Sequence, residues 1–358
     1  MKIAISFNFY PLKEFFRDIK KGKLFPKHHL WGYDFLEEKY ELMQPHVFHK
    51  KCNIVQELLF GVNYPQEKKI ACSSKYDLLY SPFLFDCYYL AFLRMLGLYH
   101  KPIIAIAQDT WRMEYCNTLK RKIFFLYQRF VAKHGVDKLL FISENVYNKC
   151  NDYFDSDRQT FLKHWGIDLS YFDSYIQASK KGNGQYVYLT GGSNRDFNLA
   201  YEAAKRDGEY QLFVQTNKID NKLKEKFSNL PNVLLDFECK GEADLLDGYN
   251  HASIVLVPLV KDTGSMTGIT VVFEAMAMSK PIISTRSEYY PLDLEKEGCG
   301  IYVNEGDIDG LNRAIKTLLQ NPEKMREMGN KGRKIVEERF NYSLFCSELY
   351  GYIKQFEQ

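Results

Sequence analysis

The chain has 358 residues, of which 46% are hydrophobic and 26% charged, with a formal net charge of +3. It is too long for one ordinary core and too apolar to be disordered, so two globular domains are expected. A net charge this small, without an aromatic–basic sheet motif, argues against a nucleic-acid partner. The charge is unevenly spread: residues 1–175 hold 25 Lys/Arg against 19 Asp/Glu, and the remainder 23 against 26. The excess lies in 94–138, nine basic against three acidic residues, which points the first half toward something anionic. Eight scattered cysteines with no C-x-x-C pair read as reduced thiols of a cytoplasmic protein. No apolar run reaches the length of about 18 that a membrane span requires. The opening MKIAISFNFY is too short for a signal segment and reads as a first buried strand.

In chain order, the first apolar runs are IAISF (3–7), DLLYS (77–81), PIIAIA (102–107), KLLFIS (138–143) and QTFLKHW (159–165). Helical patterns separate them, as in parallel sheets covered on both faces. The loop HHLWGYDFLEEKYEL (28–42) contains His28 and His29 without a third ligand at metal spacing, so no metal site is expected. The stretch NTLKRKIFFLYQRFVAKHGVDK (117–138) reads in two ways. It is a core helix with snorkelling basic ends, or an interfacial helix lying on anionic lipid at the inner face of the membrane.

The polar, Gly-containing segment SYIQASKKGNGQ (174–185) marks a boundary. A second series follows: QYVYLT (185–190), YQLFVQT (210–216), NVLLDF (232–237), SIVLVPL (253–259), PIISTR (281–286) and GIYV (300–303). The expected organisation is an N-terminal α/β domain over 1–175, a second over 185–340, and a closing helix over 341–356 free to pack back on the first. Ligands of such sheets sit beyond the carboxyl ends of the strands.

Two strand exits carry chemistry. After QYVYLT comes GGSNRDFNLAYEAAKR (191–206), a glycine turn into a helix N-terminus suited to an anion. Arg195 in the first turn opposes the helix dipole and asks for an anionic partner; the bland reading puts it in solvent or on Asp196. After SIVLVPL comes KDTGSMTGITVVFEAMAMSKP (261–281), a polar loop with a helix beginning near Thr267. Glu274 lies within that helix among apolar neighbours. Such a carboxylate is either a structural residue bonded to backbone or arginine, or an acceptor for vicinal hydroxyls. Phosphates at helix termini and a ribose at a carboxylate would together make a nucleotide site.

The run GITVVFEAMAMSKPIISTR, followed by GIYVNEGDIDGLNRAIKTLLQNPEKMREMGNKGRKIVEERF (300–340), closely resembles the C-terminal domain of retaining glycosyltransferases of the GT-B fold, family GT4. The resemblance covers about 185–345 well, and YDLLYS, KPIIAIAQD, FISENVYNKC and HWGIDLSYF extend it more weakly. It implies two doubly wound Rossmann-like domains facing each other across a cleft. It also implies transfer of a hexose from a nucleotide diphosphate sugar, with UDP the expected nucleotide, to a saccharide or lipid-linked acceptor of envelope polysaccharide synthesis. No cofactor or metal is implied, because helix dipoles and basic side chains stabilise the leaving diphosphate. In the family a pair spaced E-x7-E reads the donor; the second member falls at Glu274 and the first at Met266. The resemblance gives the diphosphate to Arg195, to the Gly192 turn and to the amides of Thr267, Gly268, Ile269 and Thr270. Phe237 is expected near the base, and Gly32 stands in the loop that would approach the donor. Gln108 and Asp109 occupy the place of a His-Asp pair facing the reacting sugar; Asp109 also reads as a helix cap before TWRMEY. Met266 and Gln108 leave room for a non-catalytic nucleotide-sugar-binding partner. A sugar-nucleotide epimerase is a further alternative.

Overall fold

The computed structural model describes residues 1–7, 21, 25–43, 59–60, 64–73, 75–108, 118–150, 153–154, 159–162, 165–179, 186–238, 242–260 and 266–357. The chain divides into two compact units. One holds Met1–Trp165 with the C-terminal segment from Tyr342, and the other holds Gly166–Asp262 and Met266–Asn341.

In the first unit the five apolar runs become strands of a six-stranded parallel sheet, β1 (Lys2–Ile5), β2 (Glu41–Met43), β3 (Leu78–Ser81), β4 (Ile103–Ala107), β5 (Lys138–Phe141) and β6 (Gln159–Phe161), in the order β2-β1-β3-β4-β5-β6. Every residue of β3 and β4 is buried, as expected for central strands covered on both faces. The edge strand β2 has no counterpart among the sequence runs. Its three residues are exposed or half-buried, too few to show an alternation. The helices are α1 (Tyr33–Glu37), α2 (Tyr64–Ala71), α3 (Tyr88–Met95), α4 (Leu119–Gly135) and α5 (Glu144–Cys150). The last residue of α4, Gly135, has to be glycine, because a Cβ there would lie 2.0 Å from the Ala91 carbonyl oxygen of α3. The buried carboxylate of Glu67 on α2 accepts the Leu90 N–H at 2.9 Å, tying α2 to the first turn of α3. The C-terminal helix, Tyr342–Lys354, belongs to this unit: the Tyr342 hydroxyl accepts the Gly32 N–H at 3.0 Å and donates to Asp34.

The second unit is a second parallel sheet, β7 (Tyr186–Thr190), β8 (Leu212–Gln215), β9 (Val233–Asp236), β10 (Ala252–Val257), β11 (Ile282–Thr285) and β12 (Gly300–Val303). Its order is β12-β11-β10-β7-β8-β9, so strand order reverses between β7 and β10. Among the described residues its helices are α6 (Leu169–Ala178), α7 (Phe197–Arg206), α8 (Asn221–Ser228), α9 (Glu242–His251), α10 (Ile269–Ala277), α11 (Ile308–Leu319) and α12 (Pro322–Glu338). On one face Leu199, Ala203, Leu311 and Ile315 of α7 and α11 close over Val187, Leu212, Ile254 and Ile283 of the strands. Elsewhere α12 lies against α10. Gly329 permits this, since a Cβ there would be 2.0 Å from the Ser279 carbonyl oxygen.

The division between units falls at 165/166, ahead of the polar 174–185 segment. Helix α6 goes with the second unit because Tyr175 bonds Asp247 at 3.0 Å and Asp173 pairs with Arg333 at 2.8 Å. Among the described residues no helix is long and apolar enough to cross a membrane. The described free cysteines are Cys72, exposed, and Cys87, Cys150, Cys299 and Cys346, all buried.

Candidate functional site

Ligands on open parallel sheets gather where strand order reverses, beyond the carboxyl ends of the two diverging strands. In the second unit these are β7 and β10, the strands whose exits the sequence singles out. The two exit loops are fastened together. Asp196 N–H donates to the Pro258 carbonyl at 2.8 Å, Val260 N–H to Asn194 at 3.0 Å, and Asn194 Nδ2 to Thr267 Oγ1 at 3.1 Å.

Arg195 is buried between these loops. It precedes helix α7 instead of standing in its first turn, and it is neither in solvent nor paired with Asp196. Its Nε donates to the Thr190 carbonyl at 3.1 Å and one terminal nitrogen to Ser193 at 3.2 Å. Two glycines make room for the guanidinium. A Cβ on Gly191 (φ 82°) would lie 2.8 Å from one of its terminal nitrogens, and one on Gly268 (φ 88°) 3.1 Å from the other. Burial pulls the Arg195 pKa below its ordinary value, while nearby Tyr290, Tyr249 and Glu274 act in the opposite sense. The group stays a cation with donor capacity left over.

Helix α10 begins beside that guanidinium. Gly268 is its N-cap, and among the described residues no side-chain cap bond closes the first turn. Gly268 has left-handed backbone geometry, so the helix starts at Ile269 and Thr267 lies outside it, bonded to Asn194. The amides of Ile269 and Thr270 sit in the uncapped first turn, where the helix dipole favours an anion. Helix α7 differs: Asp196 Oδ1 accepts the Leu199 N–H at 2.9 Å, so a carboxylate already closes it. The anion site expected at α7 is therefore filled by the chain itself. Gly192 serves packing there, because a Cβ would meet the Lys218 Cβ at 2.2 Å.

Glu274 lies on α10, buried, and its Oε2 accepts the Tyr249 hydroxyl proton at 2.6 Å. That bond answers how a carboxylate is tolerated there; hydrogen bonds to charged groups contribute about 1.5–3 kcal/mol. Burial, and then the charge of Glu274, push the Tyr249 phenol far above its ordinary pKa, so it remains a neutral donor. The Tyr249 ring meets Tyr188 edge-on at 5.0 Å. Tyr188 in turn bonds Gln215, whose Nε2 donates to Asp236 at 2.9 Å. The carboxylate is thus anchored through the sheet. Met266, eight residues before Glu274, is buried and apolar.

The structure brings together Arg195, Gly268 and the start of α10, with Glu274 further along the same helix. It does not bring Phe237 to them: its ring packs on the second unit's core beneath Lys224 Nζ at 5.2 Å, beyond edge strand β9. In the first unit, Gly32 (φ 86°) precedes α1, and a Cβ there would be 2.7 Å from Leu349 of the C-terminal helix. Its glycine has a packing reason. Gln108 follows β4, half-buried, with Nε2 buried and unbonded; Asp109 lies outside the described residues. The His28 and His29 rings meet tilted, with centroids 4.3 Å apart, and burial followed by the His29 charge holds His28 well below the ordinary imidazole pKa.

Sequence reasoning missed Tyr249 and Tyr290. Tyr290 follows β11, and its hydroxyl would be 2.9 Å from a Cβ on Gly268. Searching every loop that leaves a strand could have found it. Nothing in the sequence marks Tyr249, which ends a helix rather than following a strand.

The two parallel doubly wound units, with the solved structures they superpose on, give the chain the GT-B fold. Residues 215–335, within the second unit, match the model of the family Glycosyl transferases group 1. The MMP alpha-(1->4)-mannosyltransferase of Mycolicibacterium hassiacum is 28% identical over 231 residues, 62% of this chain and 54% of that protein. The chain thus spans about half the length of that relative. Among solved structures, the sucrose-phosphate synthase of Thermosynechococcus elongatus superposes with a TM-score of 0.71 at 14% identity, covering 99% of this chain and 98% of the other. Anabaena Alr3699/HepE, solved with UDP and glucose, superposes with a TM-score of 0.66 at 13% identity, covering 99% of each chain.

Proposed function

We propose that the protein is a retaining glycosyltransferase that moves a hexose from a nucleotide diphosphate sugar, UDP-linked, to a saccharide or lipid-linked acceptor of envelope polysaccharide synthesis. One observation carries the reading: a buried carboxylate, oriented by Tyr249, lies on the same helix whose uncapped start adjoins the Arg195 guanidinium. In this reading Glu274 accepts the ribose hydroxyls. Arg195 and the amides from Thr267 to Thr270 hold the diphosphate and stabilise the charge that develops on it as the glycosidic bond breaks. Gln108 and Asp109 face the reacting sugar and the acceptor hydroxyl, and no metal takes part. The mannosyltransferase relative supports a hexosyl group, and the neighbour solved with UDP and glucose supports a UDP-linked donor.

A second reading, nucleotide-sugar binding without turnover, is favoured by Met266, which puts a thioether where the family pattern has the first carboxylate of its pair. Calorimetric titration with UDP and GDP, followed by release of free nucleotide from several nucleotide sugars with and without lipid extract, separates the readings. Transfer predicts UDP binding in preference to GDP, and release. Binding without release under every condition gives the second reading, and failure to bind either nucleotide removes both.

A further inference from the structure

The first-unit sheet has a reversal of strand order of its own. From β1 the chain moves to β2 on one side, then crosses to the other side of β1 for β3, β4, β5 and β6. Ligands gather beyond the carboxyl ends of two strands that diverge in this way. The exits that matter are therefore those of β1, with Ser6 and Phe7, and of β3, with Pro82, Phe83, Leu84, Phe85 and Asp86.

These exits are not built for an anion. Helix α3 starts just after them, and its first amides are taken: the Glu67 carboxyl group accepts from Leu90 N–H at 2.9 Å and from Tyr89 N–H. Between Ser81 and Tyr88 there is no basic residue, and Asp86 is buried. What the exits carry is a ladder of rings. Buried Phe7 lies nearly parallel to Phe83, with centroids 5.7 Å apart and planes at 14°. Phe83 lies in the same way on Phe85, at 5.2 Å and 28°. Trp31 meets Phe83 edge-on at 5.1 Å and supports the ladder from the side.

Phe85 ends the ladder and is 48% exposed. Single exposed apolar side chains are ordinary, but this one is held in a set pose. One of its faces rests on Phe83, so the opposite face looks outward. Its backbone is a 3-10 turn, Leu84–Asp86, in which Asp86 N–H donates to the Phe83 carbonyl at 2.9 Å. Two buried hydroxyls hold the turn to the strand ends, Ser81 donating to the Phe83 carbonyl at 2.7 Å and Ser6 to that of Asp86. A ring fixed in advance lowers the ordering cost of whatever stacks on it.

The chemistry of that face selects its occupant. An aromatic face carries partial negative charge. One side of a pyranose ring offers axial C–H bonds, apolar and weakly positive, over an area close to that of a phenyl ring, with its hydroxyls at the rim. One phenyl face is far smaller than the several hundred Å² of apolar surface that marks a protein or membrane partner. On the neighbouring strand, Gln108 follows β4, and its Nε2 has no partner among the described residues. The same sheet edge thus holds a donor for a sugar hydroxyl.

We propose that Phe85 is the stacking platform for a pyranose ring of the acceptor saccharide. That the ring belongs to the acceptor rests on the transferase reading above; the platform itself does not. The test is saturation-transfer NMR on the whole protein without nucleotide. The probes are the methyl glycosides of glucose, mannose, galactose and N-acetylglucosamine, together with octyl glucopyranoside. Saturating the protein's aromatic protons should reach the ring C–H protons of at least one methyl glycoside, and more strongly on one face of the sugar. Phe85→Ala should weaken that sugar's binding by about tenfold. Phe85→Trp should retain it, and Phe85→Leu, apolar but without a π face, should behave as the alanine variant does. Unchanged thermal melting of all three variants is the control on folding. UDP titration of the parent reports the donor reading separately, so failure there leaves this outcome standing. Absence of transfer to every methyl glycoside overturns the proposal, as does transfer undiminished in Phe85→Ala. Saturation that reaches the octyl chain but no sugar ring assigns the platform to a lipid chain and overturns it as well.

Discussion

The turns from β7 into α7 and from β10 into α10 leave adjacent strands of one sheet, yet the chain finishes them in opposite ways. At α7 the cap is a carboxylate, Asp196, and the helix is electrostatically complete. At α10 the cap is Gly268, the first turn has no acid, and a buried guanidinium lies beside it. Both turns are rich in glycine. The glycines of the first make space for Arg195 and Lys218, and Gly268 shapes the opening itself. A glycine turn before a helix is therefore a poor sign of an anion site until the cap is known.

The largest effect should come from closing the open turn. Gly268→Ala puts a Cβ at positive φ and within 3.1 Å of Arg195, Val257 and Tyr290. Strain of about 1–3 kcal/mol is expected, along with a roughly hundredfold loss of UDP affinity by calorimetry as two charge-assisted hydrogen bonds are displaced. Glu274→Gln should follow with about a tenfold loss. Tyr249→Phe, which keeps the ring but frees the carboxylate from its anchor, should show a smaller loss in the same direction. If Glu274→Gln binds UDP as tightly as the parent, the ribose assignment is wrong.

The contrast itself is tested by Asp196→Ala. Loss of that cap should cost about 1 kcal/mol of stability in a denaturant melt and leave UDP affinity alone; an equal loss of affinity would mean that both helices serve the ligand. The smallest effect expected is on alkaline stability. Burial, and then the hydrogen bond to Asp247, raise Tyr175 to a pKa of about 12. Its folded-state pKa lies above the ordinary value of about 10, so its contribution is fully present below about pH 10 and is lost as pH rises toward about 12. Tyr175→Phe should flatten the fall in melting temperature across that window.

Much of this was legible in the sequence, for a physical reason. The blocks that carry the family resemblance are largely structural punctuation. Lys280 of the K-P pair donates to the carbonyls of Asn250 and Ala252 at 2.8 and 2.9 Å, closing α9. Asp307 and Asn321 cap α11 and α12. Arg333 of the G-R block bonds the Ala277 carbonyl at 2.9 Å. Such residues leave strong local signals because backbone groups need them at fixed offsets. Glu274 stood out as the one charge in an apolar helix. The edge strand β2 was too short to show a period. Tyr249 was illegible because its importance depends on a contact with a residue 25 positions away. Arg195 was read as a solvent-facing or ligand-seeking cation, whereas its nearest partners are backbone carbonyls that only the folded turn supplies.

The approach of Gly329 to Ser279 has a consequence for redesign. Helices α10 and α12 meet there with no side chain between them, and Gly332 brings the next turn within 3.1 Å of Met276 Cγ when a Cβ is placed on it. With no slack to rotate or slide, α10 acts as a fixed rail that holds Glu274 at a set height. Attempts to change which donor is accepted should therefore fail when aimed at α10. Met266, buried just ahead of the rail and outside the helix, is the better target.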